Sequence, residues 1–191
     1  MAERLGNPTG ELSREGKRLL VLGCGNPLAG DDSAGAEVVR RLSSSENPDC
    51  NFLAVPFPGI ELLDVLLGAG TVLIVDAVAS GAPPGTLHLI PWPASSVEPR
   101  AVSTLSSHGW GPIETLKLAA ALGKTLPPVM ILGIEIGELH LGALRSEAVE
   151  ASVARVVERF PILCSLLANP HAALWDRART FLPEDFSFPG E

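Results

Sequence analysis

The stretch that decides the fold is "VLGCGNPLAGDDSAGAEVV", residues 21–39. It continues a short apolar run, "RLLVLGC" at 18–24, which ends in glycine and is typical of a strand buried on both faces. From about Ser33 to Ser44 the apolar residues recur at helical spacing. We therefore expect a strand, a glycine-rich turn and a helix, with Asp31 and Asp32 side by side where the helix begins.

Strands and helices alternate along the rest of the chain. The predicted strands are 18–24, 50–57, 71–78 and 128–136, with an alternating edge strand at 86–90 that antiparallel pairing would suit. The predicted helices are 33–44, 59–69, 112–123 and 144–168, the last of them interrupted or ended near Pro161. This order predicts an α/β fold, a three-layer α/β/α sandwich around a mostly parallel sheet of about five strands.

The chain has the size and composition of one globular domain. Its 191 residues are 46% hydrophobic, and the mean hydropathy is +0.28. Residues 1–17 are expected to form a flexible leader, 18–168 the α/β domain and 169–191 a C-terminal extension.

Charge and cysteine content limit the partners and the compartment. The 14 basic and 22 acidic residues give a net charge of −8, which disfavours nucleic acid and anionic membranes as partners. The apolar runs are too short for a signal peptide or a membrane span. Three cysteines without a CxxC spacing predict a reduced, cytoplasmic location. The sequence leaves the oligomeric state open.

The glycine-rich turn fits the known nucleotide-binding motifs poorly. In a G-x-G-x-x-G motif the third glycine would fall at Leu28, and the strand near residue 55 ends without an acid for a ribose. No Gly-Lys-Ser/Thr follows, so a P-loop is also disfavoured.

The adjacent acids Asp31 and Asp32 need different explanations. One carboxylate is explained as a cap of the following helix, and we favour Asp31 for that role. Since adjacent carboxylates repel each other, the second needs a cation, a proton or open solvent, which makes Asp32 the functional candidate. The sequence does not decide which of the two faces a cleft.

Two further candidates lie far along the chain. Asp76 stands at the carboxyl end of the strand "TVLIV", the edge where ligands bind in open α/β sheets, although it could simply accept backbone amides of the next turn. His108 lies in the glycine-flanked segment "STLSSHGWGP". Two carboxylates and an imidazole suit nickel or zinc. His88 is expected to be a surface or edge residue, and Cys24 a small buried residue and not a nucleophile.

With these residues in place, the sequence resembles the hydrogenase maturation proteases, endopeptidases that process the large subunit of nickel–iron hydrogenases. The resemblance covers roughly residues 18–160 and rests on four blocks in the same order and spacing: "VLGCGNPLAGDDSAG", "PGIELL", "LIVDAVASGAPPGTL" and "SSHGWG". A departure is Ser33, where relatives often have glycine.

The resemblance implies a function and a site. Asp32, Asp76 and His108 would bind metal and serve catalysis, and the metal would be the nickel already carried by the substrate. The partner would be the hydrogenase large-subunit precursor, from which a C-terminal peptide is removed after nickel insertion. The alternatives are a non-catalytic metal-binding module in the same cleft and a nucleotide-binding α/β protein.

Overall fold

The computed structural model describes residues 19–44, 47–56, 58–92, 111–137 and 141–167. Within these ranges five strands form one sheet: β1 (Leu19–Cys24), β2 (Cys50–Val55), β3 (Thr71–Val78), β4 (Leu87–Trp92) and β5 (Val129–Glu135). The helices are α1 (Ala34–Leu42), α2 (Leu62–Leu67), α3 (Pro112–Ala121) and α4 (Glu147–Leu167). A short 3-10 turn, Gly30–Ser33, precedes α1.

The sheet confirms the predicted fold class. The strand order is β2-β1-β3-β5-β4, and all neighbouring strands are parallel except β4, which runs antiparallel to β5. Leu87 lies opposite Ile134, and Trp92 lies opposite Val129. The alternating segment expected at the edge of the sheet is therefore the edge strand, and its antiparallel pairing is confirmed.

Two separate cores cover the two faces of the sheet, because neighbouring side chains of a strand point to opposite faces. Helices α1 and α4 cover one face, where β1 and β3 contribute Leu19, Val21, Leu73 and Val75. Helices α2 and α3 cover the other face, where the same strands contribute Leu20, Leu22, Cys24, Val72 and Ile74. The continuous apolar runs in the sequence reflect this burial on both faces.

Helix α1 lies directly on the backbone of β1 and β3. A Cβ atom at Gly35 would be 2.2 Å from the carbonyl oxygen of Val75 and 2.5 Å from that of Cys24. A Cβ atom at Gly23 would be 2.2 Å from the carbonyl oxygen of Gly35. No side chain fits at either position, so the two glycines hold the start of α1 against the carboxyl ends of the two central strands.

The predicted break near Pro161 is wrong, since α4 runs without interruption from Glu147 to Leu167. Proline removes one hydrogen-bond donor from the helix and crowds the preceding turn. However, Phe160, Leu163 and Leu167 are buried in the core, while Pro161 itself is exposed. The apolar burial on both sides of the proline outweighs the missing hydrogen bond.

The predicted leader, 1–17, and the predicted extension, 169–191, lie outside the described residues and stay predictions. In the part of the chain that is described, no helix combines the length and the hydrophobicity that crossing a membrane requires.

Replacing the exposed proline should stabilise the protein. Pro161→Ala restores a donor for the carbonyl of Val157 and relieves the crowding, worth up to about 3 kcal/mol, and the greater freedom of the unfolded chain offsets about 0.4–1 kcal/mol of this gain. We expect the free energy of unfolding, measured by urea denaturation, to rise by about 1–2 kcal/mol. Glu158→Ala, at an exposed position of the same helix, is the control. Equal stability of Pro161→Ala and the wild type would contradict the expectation.

Candidate active site

The turn after β1 folds back over the end of that strand. Gly25 has a φ of +113°, and a Cβ atom there would lie 1.8 Å from the carbonyl oxygen of Asp32. The amide of Asp32 donates to the carbonyl oxygen of Ala29 at 3.1 Å, which closes the 3-10 turn. Asp32 is thereby placed directly above the carboxyl end of β1.

Asp76 lies beside this turn, near the end of β3. It follows Val72 and Ile74 on the face covered by α2 and α3, the face to which Cys24 of β1 also belongs. Asp76 is 6% exposed, and its Oδ1 accepts a hydrogen bond from the amide of Ala77 at 3.0 Å. The structure thus brings Asp32 and Asp76 together at one edge of the sheet.

Burial determines the protonation of the two carboxyl groups. It is the largest cause that raises the pKa of Asp76, to about 8, and the negative charge of Asp32 raises this pKa further. Burial also raises the pKa of Asp32, while the amide of Asn26, which donates to Asp32 Oδ2 at 2.8 Å, lowers it. At neutral pH the metal-free pair therefore keeps a proton on Asp76.

Asp31 does not cap the helix that follows it, so the favoured interpretation of this residue is wrong. Neither the 3-10 turn nor α1 has a side-chain cap hydrogen bond. The Asp31 carboxylate instead accepts hydrogen bonds from the amide of Gly137 at 3.1 Å, and from the amide and hydroxyl of Ser146 at 2.6 and 3.1 Å. It connects the turn to the segments before α4, and Asp32 is left as the aspartate beside Asp76.

Ser33, where the family resemblance led us to expect glycine, also makes hydrogen bonds that hold the turn in place. Its hydroxyl donates to the carbonyl oxygen of Gly30 at 2.7 Å and accepts from Arg145 Nη1 at 2.8 Å. The serine therefore adds a contact between the turn and the segment before α4.

The third predicted residue, His108, lies outside the described residues. It comes four positions before Pro112, where α3 begins. In the first turn of α3, Glu114 Oε2 accepts from the amide of Gly111 at 3.0 Å, and the charge of Glu114 contributes to the raised pKa of Asp76. The first turn of α3 therefore lies close enough to Asp76 for the charge of Glu114 to affect it. The sequence interpretation missed Glu114, although it lies in the predicted helix 112–123, six positions after His108.

Glu135 is a second acid that the sequence interpretation missed. It is buried at the end of β5 and accepts hydrogen bonds from the amide and hydroxyl of Ser80, both at 2.7 Å, and from the amide of Gly81 at 2.8 Å. His88 Nε2 lies 2.9 Å from Glu135 Oε2, and His88 is on the edge strand, as expected. The signal that could have found Glu135 is an acid at the end of an apolar strand, as for Asp76.

Cys24 is buried, as expected, and is not an activated nucleophile. Burial raises the pKa of its thiol well above the usual value, and the charges of Asp76 and Asp32 raise the pKa further. The thiol therefore stays protonated at neutral pH.

Two chemistries suit the aspartate pair. A protonated and an ionised carboxyl group can act as acid and base, or a divalent cation can take the place of the proton. Within the described ranges, no group of three or more His, Cys, Asp and Glu residues is arranged to hold a metal ion. A metal at this edge would need a further ligand from outside those ranges or from a partner.

These features define an α/β domain with a desolvated carboxylate pair at the carboxyl edge of its sheet. A family model described as hydrogenase maturation protease (HycI) matches residues 40–161, which include Asp76 and His108. The chain belongs to the hydrogenase maturation protease family.

Individual relatives agree with this assignment. The hydrogenase expression/formation protein HupD of Thiocapsa roseopersicina is 32% identical over 143 residues, which cover 72% of this chain and 63% of HupD, less than two thirds of its length. HoxM of Cupriavidus necator, of the same description, is 29% identical over 74% of this chain and 71% of HoxM. The NiFe hydrogenase maturation protease HybD from Thermococcus kodakarensis shares the fold, with a TM-score of 0.60 and 24% identity over 77% of this chain and 99% of HybD.

Asp76→Asn should remove a pH dependence of folding stability. The pKa of Asp76 is about 8 in the folded chain against 3.8 for the ordinary group, so between these pH values the folded state keeps a proton that the unfolded state releases. Wild-type stability should therefore fall as the pH rises from about 4 to about 8. Asparagine keeps an acceptor for the Ala77 amide without a charge, and the variant should exceed the wild type at pH ~9 by on the order of 3–5 kcal/mol.

Urea unfolding in chelator-treated buffer at a series of pH values measures this difference. Asp64→Asn, the same change at an exposed position of α2, should keep the wild-type profile. Parallel profiles for the wild type and Asp76→Asn would show that Asp76 is not protonated at neutral pH.

Proposed function

We propose that this protein is an endopeptidase that removes the C-terminal peptide of a nickel–iron hydrogenase large-subunit precursor after nickel insertion. Asp32, Asp76 and His108 recognise the nickel that the precursor carries. Membership of the hydrogenase maturation protease family supports the reaction class. The cytoplasm is the proposed compartment, and the free thiols of Cys24, Cys50 and Cys164 agree with a reducing one.

The observation that carries the proposal is the adjacency of Asp32 and Asp76 at a desolvated sheet edge. Burial and, to a smaller extent, the charge of Asp32 raise the pKa of Asp76 to about 8, so ionising both carboxyl groups is costly. A divalent cation offsets this cost by attracting both carboxylates. A precursor that presents nickel here is therefore favoured over the same precursor without nickel.

His108 completes the proposed ligand set. It precedes α3 by four residues, and the charge of Glu114 in the first turn of that helix reaches Asp76. An imidazole nitrogen together with two carboxylates gives a donor set of intermediate softness, which suits nickel. Three ligands from this chain leave coordination positions for the precursor's own ligands.

In this proposal, peptide hydrolysis depends on the alignment of the precursor's scissile bond with the site. Contact with the bound nickel would hold the scissile bond over the cleft, and such positioning can contribute about 7–11 kcal/mol to the rate. The attacking water is activated either by an aspartate as general base or by a lowered pKa at the metal. The protonated, buried Cys24 supplies no nucleophile.

The direct test is to mix the purified protein with a nickel-loaded hydrogenase large-subunit precursor and to follow the precursor's mass. The wild type should release a discrete C-terminal peptide, and nickel-free precursor should stay intact. Asp76→Asn should slow cleavage by at least about 100-fold, since residues that only support a metal ligand already contribute about 10–100-fold.

The control for this test is Asp64→Asn, which should cleave at the wild-type rate. Cleavage by a folded Asp76→Asn variant at the wild-type rate would refute the assignment of Asp76. Tight nickel binding by the isolated chain without any cleavage would favour the non-catalytic metal-binding module.

His108→Gln should weaken binding of the nickel-loaded precursor, because glutamine lacks the imidazole nitrogen. We expect a rise in Kd of at least about tenfold for nickel-loaded precursor and no change for nickel-free precursor, measured by calorimetry. His88→Gln is the matched control, since His88 contacts Glu135 at the far edge of the sheet. An equal effect of the two substitutions would remove His108 from the ligand set.

A further inference from the structure

We propose that Asp31 is a positioning residue that holds Asp32 beside Asp76, an inference that rests on the function proposed for Asp32. The two aspartates are neighbours in sequence, yet their carboxylates make contacts on opposite sides of the sheet. Asp32 contacts the Asn26 amide and interacts with Asp76, on the side of α2 and α3. Asp31 contacts Ser146, the residue before α4, on the other side.

The contacts of Asp31 form a rigid anchor. Asp31 is 3% exposed, and its carboxylate accepts hydrogen bonds from three donors. Two of the donors are backbone amides, of Gly137 just beyond β5 and of Ser146 just before α4, so their positions are set by those elements. Helix α4 is itself held by buried apolar residues such as Val149 and Val153.

Two further contacts join the same segments on either side of Asp31. The amide of Gly142 donates to the carbonyl oxygen of Leu28 at 2.8 Å, and Arg145 Nη1 donates to the Ser33 hydroxyl at 2.8 Å. Asp31 lies between these contacts and directly before Asp32. Movement of the turn at Asp31 therefore moves Asp32.

An amide at this position cannot replace the carboxylate. Asp31 Oδ1 accepts from the Ser146 amide, and Oδ2 accepts from the Gly137 amide. In Asp31→Asn, an NH₂ group replaces one of these two oxygen atoms. This NH₂ group and the backbone N–H that it faces are both hydrogen-bond donors, so no hydrogen bond can form between them. In either orientation one backbone amide loses its acceptor on the buried Asp31 side chain, and we expect the turn to shift.

The Asn26 amide reports the position of Asp32 without any substrate, because it donates to Asp32 Oδ2 at 2.8 Å. In Asp31→Asn we expect this amide to exchange with solvent at least about tenfold faster in NMR hydrogen exchange. The amide of Ile74 in central strand β3 should keep its protection, which separates a local shift from global destabilisation. Asp64→Asn is the control. Unchanged exchange at Asn26 would overturn the proposal.

A double-mutant cycle tests the link to recognition. Asp31→Asn should weaken binding of nickel-loaded precursor about tenfold in the wild-type background and not at all in Asp32→Asn, since Asp31 acts through Asp32. An equal loss in both backgrounds would show that Asp31 is only structural. If the wild type binds loaded and nickel-free precursor equally, the proposed function fails, while the Asn26 measurement still decides the positioning.

A milder variant covers the case in which Asp31→Asn does not fold. Ser146→Ala removes one of the three donors to Asp31 and leaves both backbone amides in place. It should accelerate exchange at Asn26 in the same direction but by less, with Ile74 again unchanged. No acceleration at Asn26 in this folded variant would count against the proposal.

Discussion

The close contact between α1 and the two central strands is the constraint on which the sheet edge depends. Gly35 allows the helix to lie on the carbonyl oxygens of Val75 and Cys24. Gly23, in β1, leaves room for the carbonyl oxygen of Gly35. With the helix start fixed there, the residues between β1 and α1 have space only above the end of β1. Gly25, at positive φ, is what lets Asp32 occupy that space.

The number of hydrogen-bond donors explains why three aspartates at one edge have different roles. Asp31 has three donors from two other segments, which satisfy a buried anion and make it an anchor. Among the described residues, Asp32 and Asp76 each accept a hydrogen bond from one backbone amide, that of Asn26 and that of Ala77, and both amides are close in sequence to the aspartate they contact. Burial then dominates and raises the pKa of both groups, so the pair needs a proton or a cation.

The sequence predicted what depends on local pattern. Strands buried on both faces appear as continuous apolar runs, and β4, at the edge, appears as an alternating one. The position of Asp76 at the carboxyl edge could also be predicted, because Asp76 directly follows one of these apolar runs. The partners of Asp31 could not, because Gly137 and Ser146 are 106 and 115 positions away. The path of α4 through Pro161 was also hidden, since burial against the sheet, and not helix propensity, decides it.

A carboxylate pair that is costly to ionise would also give the proposed protease a means to distinguish a nickel-loaded precursor from a nickel-free one. Burial and the charge of Asp32 raise the pKa of Asp76 to about 8, so in the chain without a metal a proton on Asp76 relieves the repulsion within the pair. Under the proposed function, nickel that arrived with its own precursor ligands would take the place of that proton, and the precursor would supply the ligands that this chain does not. Binding would then be strongest when the metal and the precursor around it arrive together, which is the state that the proposed function requires before the C-terminal peptide is removed.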